Sequence, residues 1–122
     1  MAGIKKFEDL LVWKKAHELV LRTYRITEKF PKHELFAMTS QLRRASASVA
    51  ANIVEGFKRK GIRDSLNFYN TAEASLEEVK YFFLLARDLK YINTIEYSES
   101  ILLSEEVGKL LFRWIQSQNR YT

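Results

Sequence analysis

Apolar residues recur along this chain at three- and four-residue intervals, and no stretch shows the in-and-out alternation of a strand bounded by turns. The pattern is that of helices. In the first segment Leu10, Trp13, Ala16, Val20, Tyr24 and Thr27 fall on one line. The segment closes at Phe30-Pro31, because proline disfavours helical geometry in the residue before it, and a helix is predicted over about residues 8–29. Leu35, Met38, Leu42, Ala45, Val49 and Ile53 line a second helix over about 33–59, ending near Gly61, a residue that takes left-handed geometry at low cost. A third, over about 62–90, sets Tyr69, Ala72, Leu76, Val79, Phe83 and Ala86 at alternating three- and four-residue spacing, the seam of a bundle helix. Tyr91-Ile92-Asn93-Thr94 makes a short connection in which Asn93 or Thr94 suits a helix cap. The fourth helix, about 94–119, carries Ile101, Leu103, Val107, Leu110, Leu111, Trp114 and Ile115. Gly108 within it costs about 1 kcal/mol against alanine and suggests a close backbone approach.

Four such rods joined by short connections predict an all-α, antiparallel up-down-up-down four-helix bundle, a single domain over residues 1–122. The apolar surface exceeds what one seam consumes. Phe68, Phe82, Leu85 and Leu89 lie beside the third-helix seam, and the fourth helix is apolar around much of its circumference. These side chains either fill a wide groove inside the bundle or meet another subunit. A large leftover apolar patch is unusual on a monomer, so a homo-oligomer is expected. The chain has no cysteine, which removes disulfides and thiolate metal sites. No signal-peptide run opens it and no segment approaches the roughly 18 apolar residues of a membrane span, so a cytoplasmic protein with no membrane partner is expected.

Charge changes the picture further, because residues 1–63 hold 14 Lys/Arg against 6 Asp/Glu and residues 64–122 hold 6 against 9. Such asymmetry provides a basic surface for nucleic acid, or it draws the two halves together within a bundle or between subunits. The second helix concentrates the question in Gln41–Lys60, QLRRASASVAANIVEGFKRK. At 100° per residue Arg44, Ser48, Asn52, Glu55 and Arg59 share a polar sector beside the core line, while Ala47, Ala50 and Val54 form a sector of small side chains open to close helix approach. Arg43 and Arg44, then Lys58, Arg59, Lys60 and Arg63, form two basic clusters that are candidates for phosphate contacts. The alternative is a solvated face with cations complementing the helix C-terminus. Glu55 and Arg59 are spaced for an intrahelical ion pair; otherwise Glu55 orients Arg59 or binds a neighbouring subunit. Asn52, at the border of the two stripes, suits a half-buried amide that fixes helix register. Lys14, Lys15, Arg22, Arg25, Lys29 and Lys32 make the first helix a second candidate surface.

Catalytic templates fit poorly, and neither an enzyme activity, a cofactor nor a metal is expected. The only histidines are His17 and His33, and neither completes His-Glu-x-x-His or a bundle-type Glu-x-x-His pair. His17 reads as a helix-surface residue and His33 as one at a helix start. The carboxylates Glu73, Glu77, Glu78, Glu96, Glu99, Glu105 and Glu106 have helical spacing but no histidine companions, as on a solvated face. Trp13, Trp114 and the tyrosines could stack on bases, yet aromatics at bundle spacing are usually core.

The order Phe7-x-x-Leu10-x-Val12-Trp13-x-x-Ala16, then Phe30-Pro31-x-x-Glu34, then Gln41-Leu-Arg43-Arg44-Ala45-x-x-Ser48-Val-x-x-Asn52-Ile-x-Glu55-Gly56, then Ala72-x-x-Ser75-Leu76 with Glu77, resembles the bacterial four-helix-bundle family encoded by intervening sequences in 23S ribosomal RNA genes. The likeness covers about residues 7–90. That family is similar to the accessory variability protein of diversity-generating retroelements, a ring-shaped homopentamer that binds a reverse transcriptase and nucleic acid. The resemblance implies a bundle assembled as a five-fold ring, offering basic residues to RNA or DNA or recruiting a protein partner such as a polymerase. Gene context makes RNA the favoured ligand. Arg43, Arg44, Asn52, Glu55, Gly56 and Arg59 are the positions carried over. The chain departs from the pattern at Ala50, where the family often has proline, and at Ala74, where it often has glycine.

Overall fold

The computed structural model describes residues 4–119; residues 1–3 and 120–122 of the expected domain lie outside the described residues. Four α-helices carry the fold: α1 (Leu11–Thr27), α2 (Ser40–Lys58), α3 (Ile62–Asp88) and α4 (Thr94–Asn119). No strand occurs among the described residues. No helix among them is long and apolar enough to cross a membrane.

The ends of these helices follow local chemistry. A short turn at Phe7–Asp9 precedes α1, and extended Leu10 (ψ 124°) separates the two. α1 stops at Thr27 rather than 29, tapering through Lys29 N–H to Ile26 C=O and Phe30 N–H to Thr27 C=O ahead of Pro31. The second helix is not continuous from residue 33. A tight turn at Lys32–Glu34 and a wide one at Leu35–Thr39 come first, with Ala37 outside helical geometry (φ −123°, ψ −105°). Glu34 anchors this segment by accepting hydrogen bonds from Met38 N–H (3.3 Å) and the Tyr91 hydroxyl (2.8 Å). Its pKa is lowered by those donors, the Tyr91 hydroxyl first.

Gly61 is extended (φ −96°, ψ 139°), not left-handed. The left-handed residue is Lys90 (φ 64°), just past α3. Tyr91 N–H reaches back to Ala86 C=O and Lys90 N–H to Arg87 C=O, both at 2.9 Å, which satisfies the last carbonyls of the helix in a Schellman arrangement. Asn93 caps α4: its Oδ1 accepts from Glu96 N–H (2.7 Å) while Glu96 Oε1 accepts from Asn93 N–H (2.9 Å).

The core keeps the expected seam of α3 without exception: Tyr69, Ala72, Leu76, Val79, Phe83 and Ala86 are all buried. Met38, Leu42, Ala45, Val49 and Ile53 are buried as well, but Leu35 turns outward with the irregular segment. α1 is rotated from the expected line. Val12, Ala16, Leu19, Thr23, Ile26 and Thr27 are inside, whereas Trp13 and Val20 are half-buried and Tyr24 is exposed. On α4 only Val107 and Leu111 of the expected residues are fully buried, and Ser100 and Ser104 complete their line. These buried hydroxyls bond back within their own helices: Thr23 to Leu19 C=O, Thr27 to Thr23 C=O, Ser100 to Glu96 C=O and Ser104 to Ser100 C=O. Each is thereby satisfied while remaining small enough for close packing.

Charge selects which faces meet. Lys15 pairs with Glu106 (3.0 Å), Arg22 with Glu99 (3.2 Å) and Lys29 with Glu96 (3.1 Å), and Arg22 Nε also donates to Ser100 Oγ (2.9 Å). Part of the charge asymmetry is therefore spent drawing basic α1 onto acidic α4. Partly exposed pairs of this kind contribute about 0–1 kcal/mol each, against roughly 2 kcal/mol for burying one large apolar side chain. Burial holds the helices together; the ion pairs discriminate among ways of arranging them. Across α2 and α3, Ser48 and Ser75 hydroxyls meet at 2.8 Å and Gly56 lies under the Tyr69 ring. Across α3 and α4, Arg87 stacks on Tyr97 at 4.4 Å and Leu76 faces Gly108.

The two helical glycines have opposite significance. A Cβ at Gly56 would lie against Tyr69 Cε1 and only 2.7 Å from Cδ1, so the buried ring requires its absence. At Gly108 a Cβ would be 3.4 Å from Leu76 Cδ2, ordinary contact with a flexible side chain rather than the close backbone approach expected. Gly56→Ala should lower unfolding stability by about 2 kcal/mol through overpacking. Gly108→Ala should raise it by up to about 1 kcal/mol through helix propensity. Urea titrations of both variants test the contrast, and equal effects would contradict it.

Acid should loosen the α3–α4 junction. Glu96 has a pKa below the ordinary 4.5, chiefly because the Asn93 N–H binds its carboxylate, with Lys29 adding to the effect. A lowered folded-state pKa stabilises the fold above the unfolded value, and the contribution is lost as pH falls through the folded value. Glu96→Ala should cost about 1 kcal/mol at neutral pH, and the gap should narrow below pH 4.5 in thermal melts across pH.

Candidate nucleic-acid interface

Six cations were expected to form the interface, and the structure divides them. Arg43 is half-buried between α1 and α2, where Nε donates to Thr27 Oγ1 at 2.8 Å and the guanidinium lies 4.7 Å from the Tyr24 ring centroid. Its interactions clamp two helices. Arg59 is held as well: it pairs with Glu55 at 2.8 Å and Asp64 at 3.9 Å, and stacks on Phe68 at 4.4 Å. The spaced Glu55–Arg59 ion pair thus forms, and it orients the arginine. Arg44, Lys58, Lys60 and Arg63 are exposed and form no ion pair among the described residues.

Their placement follows from the end of α2. Lys58 is its last residue, Arg59 turns extended (ψ 146°), and α3 starts at Ile62. The short connection brings Lys58, Lys60 and Arg63 to one end of the bundle. Arg44 stands about 21 Å away along α2, by the rise of 14 residues. Between Arg44 and Lys58 the outer ridge is smooth, with Ala47, Ala51 and Val54. On α1, Lys15, Arg22 and Lys29 are engaged with α4, which leaves Lys14, Arg25 and Lys32 exposed and reduces that second candidate surface.

Asn52 does not reach across helices. Its Nδ2 donates to Ser48 C=O (2.8 Å) and Ser48 Oγ (3.0 Å), and Ser48 in turn meets Ser75 of α3. The register contact is the serine pair, with Asn52 behind it as support. Gly56 is buried, as a structural motif position should be, and its partner Tyr69 is the residue that the motif did not disclose. A glycine one turn before a helix end, followed by an aromatic early in the next helix, is the signal that could have paired them.

Two further features escaped sequence reasoning. Beside Tyr69 is a cavity of about 430 Å³ lined by Gly56, Arg59, Lys60, Ser65 and Trp114 among others. At the other end of α2, Phe36 is 92% exposed, and Tyr24, Leu35, Phe36 and Arg44 line a shallow groove. Periodicity could not place either, since one forms between three helices and the other follows from the irregular turn at Leu35–Thr39. His17 stacks on Trp13 at 4.9 Å, and His33 sits 3.8 Å from Glu34. No group of three or more His, Asp or Glu among the described residues is arranged to hold a metal ion.

Comparison with known proteins agrees with this geometry. A crystal structure of a protein of unknown function from the S23 ribosomal protein family of Bacteroides thetaiotaomicron superposes with a TM-score of 0.80 at 27% identity, covering 86% of this chain and 98% of that one. The curated proteins contain no match. The sequence matches the profile of the 23S rRNA-intervening sequence proteins over residues 8–113, most of its length. The chain belongs to the 23S rRNA-intervening sequence protein family.

Proposed function

We propose that this protein is a non-catalytic, oligomeric nucleic-acid-binding bundle, with RNA as its favoured ligand. The observation that carries the reading is the display of Arg44, Lys58, Lys60 and Arg63 on α2 and its exit without ion-pair partners among the described residues. Neutralising phosphates with such cations releases counterions, which gives salt-dependent, sequence-tolerant binding. RNA is preferred because the family name ties these proteins to 23S rRNA genes. A cytoplasmic location goes with that ligand. Helix contacts that run in opposite chain order support an antiparallel up-down-up-down arrangement, as in the pairs Lys15–Glu106, Arg22–Glu99 and Lys29–Glu96.

Self-association is the second element of the proposal. Phe36, Ile95 and Leu102 are each more than two-thirds exposed, and covering these side chains in a subunit contact would bury apolar surface. The likeness of the family to the accessory variability protein of diversity-generating retroelements makes a five-fold ring the assembly we favour. A scaffold that recruits a protein such as a reverse transcriptase is the alternative, and the Phe36 groove is where such a partner would dock.

Reversing Arg44, Lys58, Lys60 and Arg63 to Glu should abolish binding of labelled structured RNA at low salt. Single reversals should reduce the slope of log K against log salt by about 0.7 or more on single strands. Arg43→Ala should leave that slope in place while lowering the melting temperature. Unchanged RNA binding in the quadruple variant would overturn the surface assignment.

Light scattering on the 14.4 kDa chain should give a mass several times the monomer, and Phe36→Asp should shift it toward the monomer. A monomeric wild type would reject the ring. Retention of a protein by wild type but not by Phe36→Asp, after nuclease treatment, would favour the scaffold.

A further inference from the structure

The cavity between the α2–α3 turn and the end of α4 contains polar groups that the fold leaves unused. Tyr69 is 1% exposed and Ser65 6%, both line the cavity, and no described residue accepts a hydrogen bond from either hydroxyl. Trp114 Nε1 is the one buried side-chain nitrogen or oxygen without a hydrogen-bond partner among the described residues. The Trp114 and Tyr69 rings meet edge to face at 6.5 Å. Burial raises the Tyr69 pKa, an effect partly offset by the approach of the Trp114 indole N–H to the phenol oxygen, so the phenol stays neutral with its O–H left to donate. Leaving the buried indole N–H unused costs about 1–3 kcal/mol unless an acceptor arrives, while the Tyr69 and Ser65 hydroxyls face the cavity.

The surroundings define that acceptor. Arg59 and Lys60 line the same cavity, and the N-terminus of 27-residue α3, capped by Gly61 with no side-chain bond, opens beside it. Helix N-termini and convergent cations favour an anion. Glu55 and Asp64 are the opposing charges nearby, and both are engaged with Arg59, at 2.8 and 3.9 Å. They hold its guanidinium in place beside the cavity. Donors from α3 and α4, with two cations beside them, suit a group with several acceptor oxygens and more than one negative charge.

We infer that this cavity is a phosphoryl-binding site, with Tyr69, Ser65 and Trp114 as neutral donors and Arg59 and Lys60 as counter-charges. The inference deepens the nucleic-acid reading and rests on it for the source of the group, the 5′-phosphorylated end of an RNA strand. Gly56 then has a second consequence: by admitting the Tyr69 ring it places the phenol at the mouth of the α2–α3 turn.

The test uses the full chain and two RNA oligonucleotides identical except for a 5′-phosphate or 5′-hydroxyl, with inorganic phosphate as a separate arm against chloride at equal ionic strength. The phosphorylated strand should bind about tenfold more tightly, as expected for hydrogen bonds to a charged group. Tyr69→Phe, which keeps the ring over Gly56, and Ser65→Ala should each bring the phosphorylated strand towards the affinity of the hydroxyl form. Phosphate binding should also shift the Trp114 indole N–H signal, one of two such signals in the chain and assigned by Trp114→Phe. A shift with inorganic phosphate but no preference between strands would assign the site to free phosphate. Equal affinity for both strands together with an unmoved indole signal would overturn the inference, even if RNA still bound through Arg44 and Lys58. Conversely, a phosphate-dependent shift without any RNA binding would leave the pocket standing and remove the nucleic-acid reading.

Discussion

The seat of the Tyr69 ring on Gly56 is the contact on which the α2–α3 end of the molecule depends. Any side chain at position 56 would occupy space that the ring fills. The seat lets α2 and α3 close together just before they join, so three residues, Arg59–Gly61, suffice to connect them. That compression gathers Lys58, Lys60 and Arg63 at one corner and leaves the cavity beside them. Burying the aromatic body is worth roughly 2–3 kcal/mol, and its hydroxyl faces the cavity beside the Trp114 indole. An ordinary core would place phenylalanine here. The tyrosine adds a hydroxyl that a group entering the cavity could use.

Much of the fold was legible in the sequence where a helix offers only one apolar line. α3 does so, and its seam was read residue for residue. α1 offers two, Trp13–Val20–Tyr24 beside Val12–Leu19–Ile26, with Ala16 common to both. The buried choice contains Thr23, whose hydroxyl is satisfied by Leu19 C=O and so behaves as a small core residue. Hydropathy scores threonine and serine as if that bond were absent, and Ser100 and Ser104 hid the inner line of α4 for the same reason. The start of the second helix was misread because Glu34 is tied to Tyr91, a contact spanning 57 residues that no local pattern contains. Lys90 likewise adopts the left-handed geometry that sequence would assign to a glycine, since the two reverse hydrogen bonds and the packing of Tyr91 on Phe30 at 5.4 Å outweigh the local preference.

The candidate site was legible as composition but not as geometry. Sequence points to Gln41–Lys60 with Arg63 as the candidate segment, and its spacing of Glu55 and Arg59 gives the ion pair that the structure contains. It could not tell a displayed cation from one consumed by the fold. Arg43 and Arg44 are adjacent, yet a 100° step turns one toward Thr27 and Tyr24 and leaves the other in solvent. The same step separates Lys15, bound to Glu106, from exposed Lys14. Net charge therefore overstates the basic surface, because α1 and the turn after it commit three cations to α4.

What remains is two kinds of cation, and they suit different tasks. Arg44 and Lys58 stand free on a smooth helical ridge, so ordering either on a ligand forfeits about 0.5–1.5 kcal/mol of side-chain freedom. Loose charges of this kind attract a polyanion over a distance and tolerate many poses. Arg59 has already given up its freedom to Glu55, Asp64 and Phe68. A carboxylate beside it lowers the local potential but fixes where the guanidinium points, and a group that enters the cavity meets a donor set already in position. On the proposed reading, the ridge would draw a strand in without defining it, while the pocket would select one feature of it. A protein that bound phosphate only by bulk attraction would gain nothing from turning the Tyr69 hydroxyl into a cavity or from burying the Trp114 N–H without a partner among the described residues.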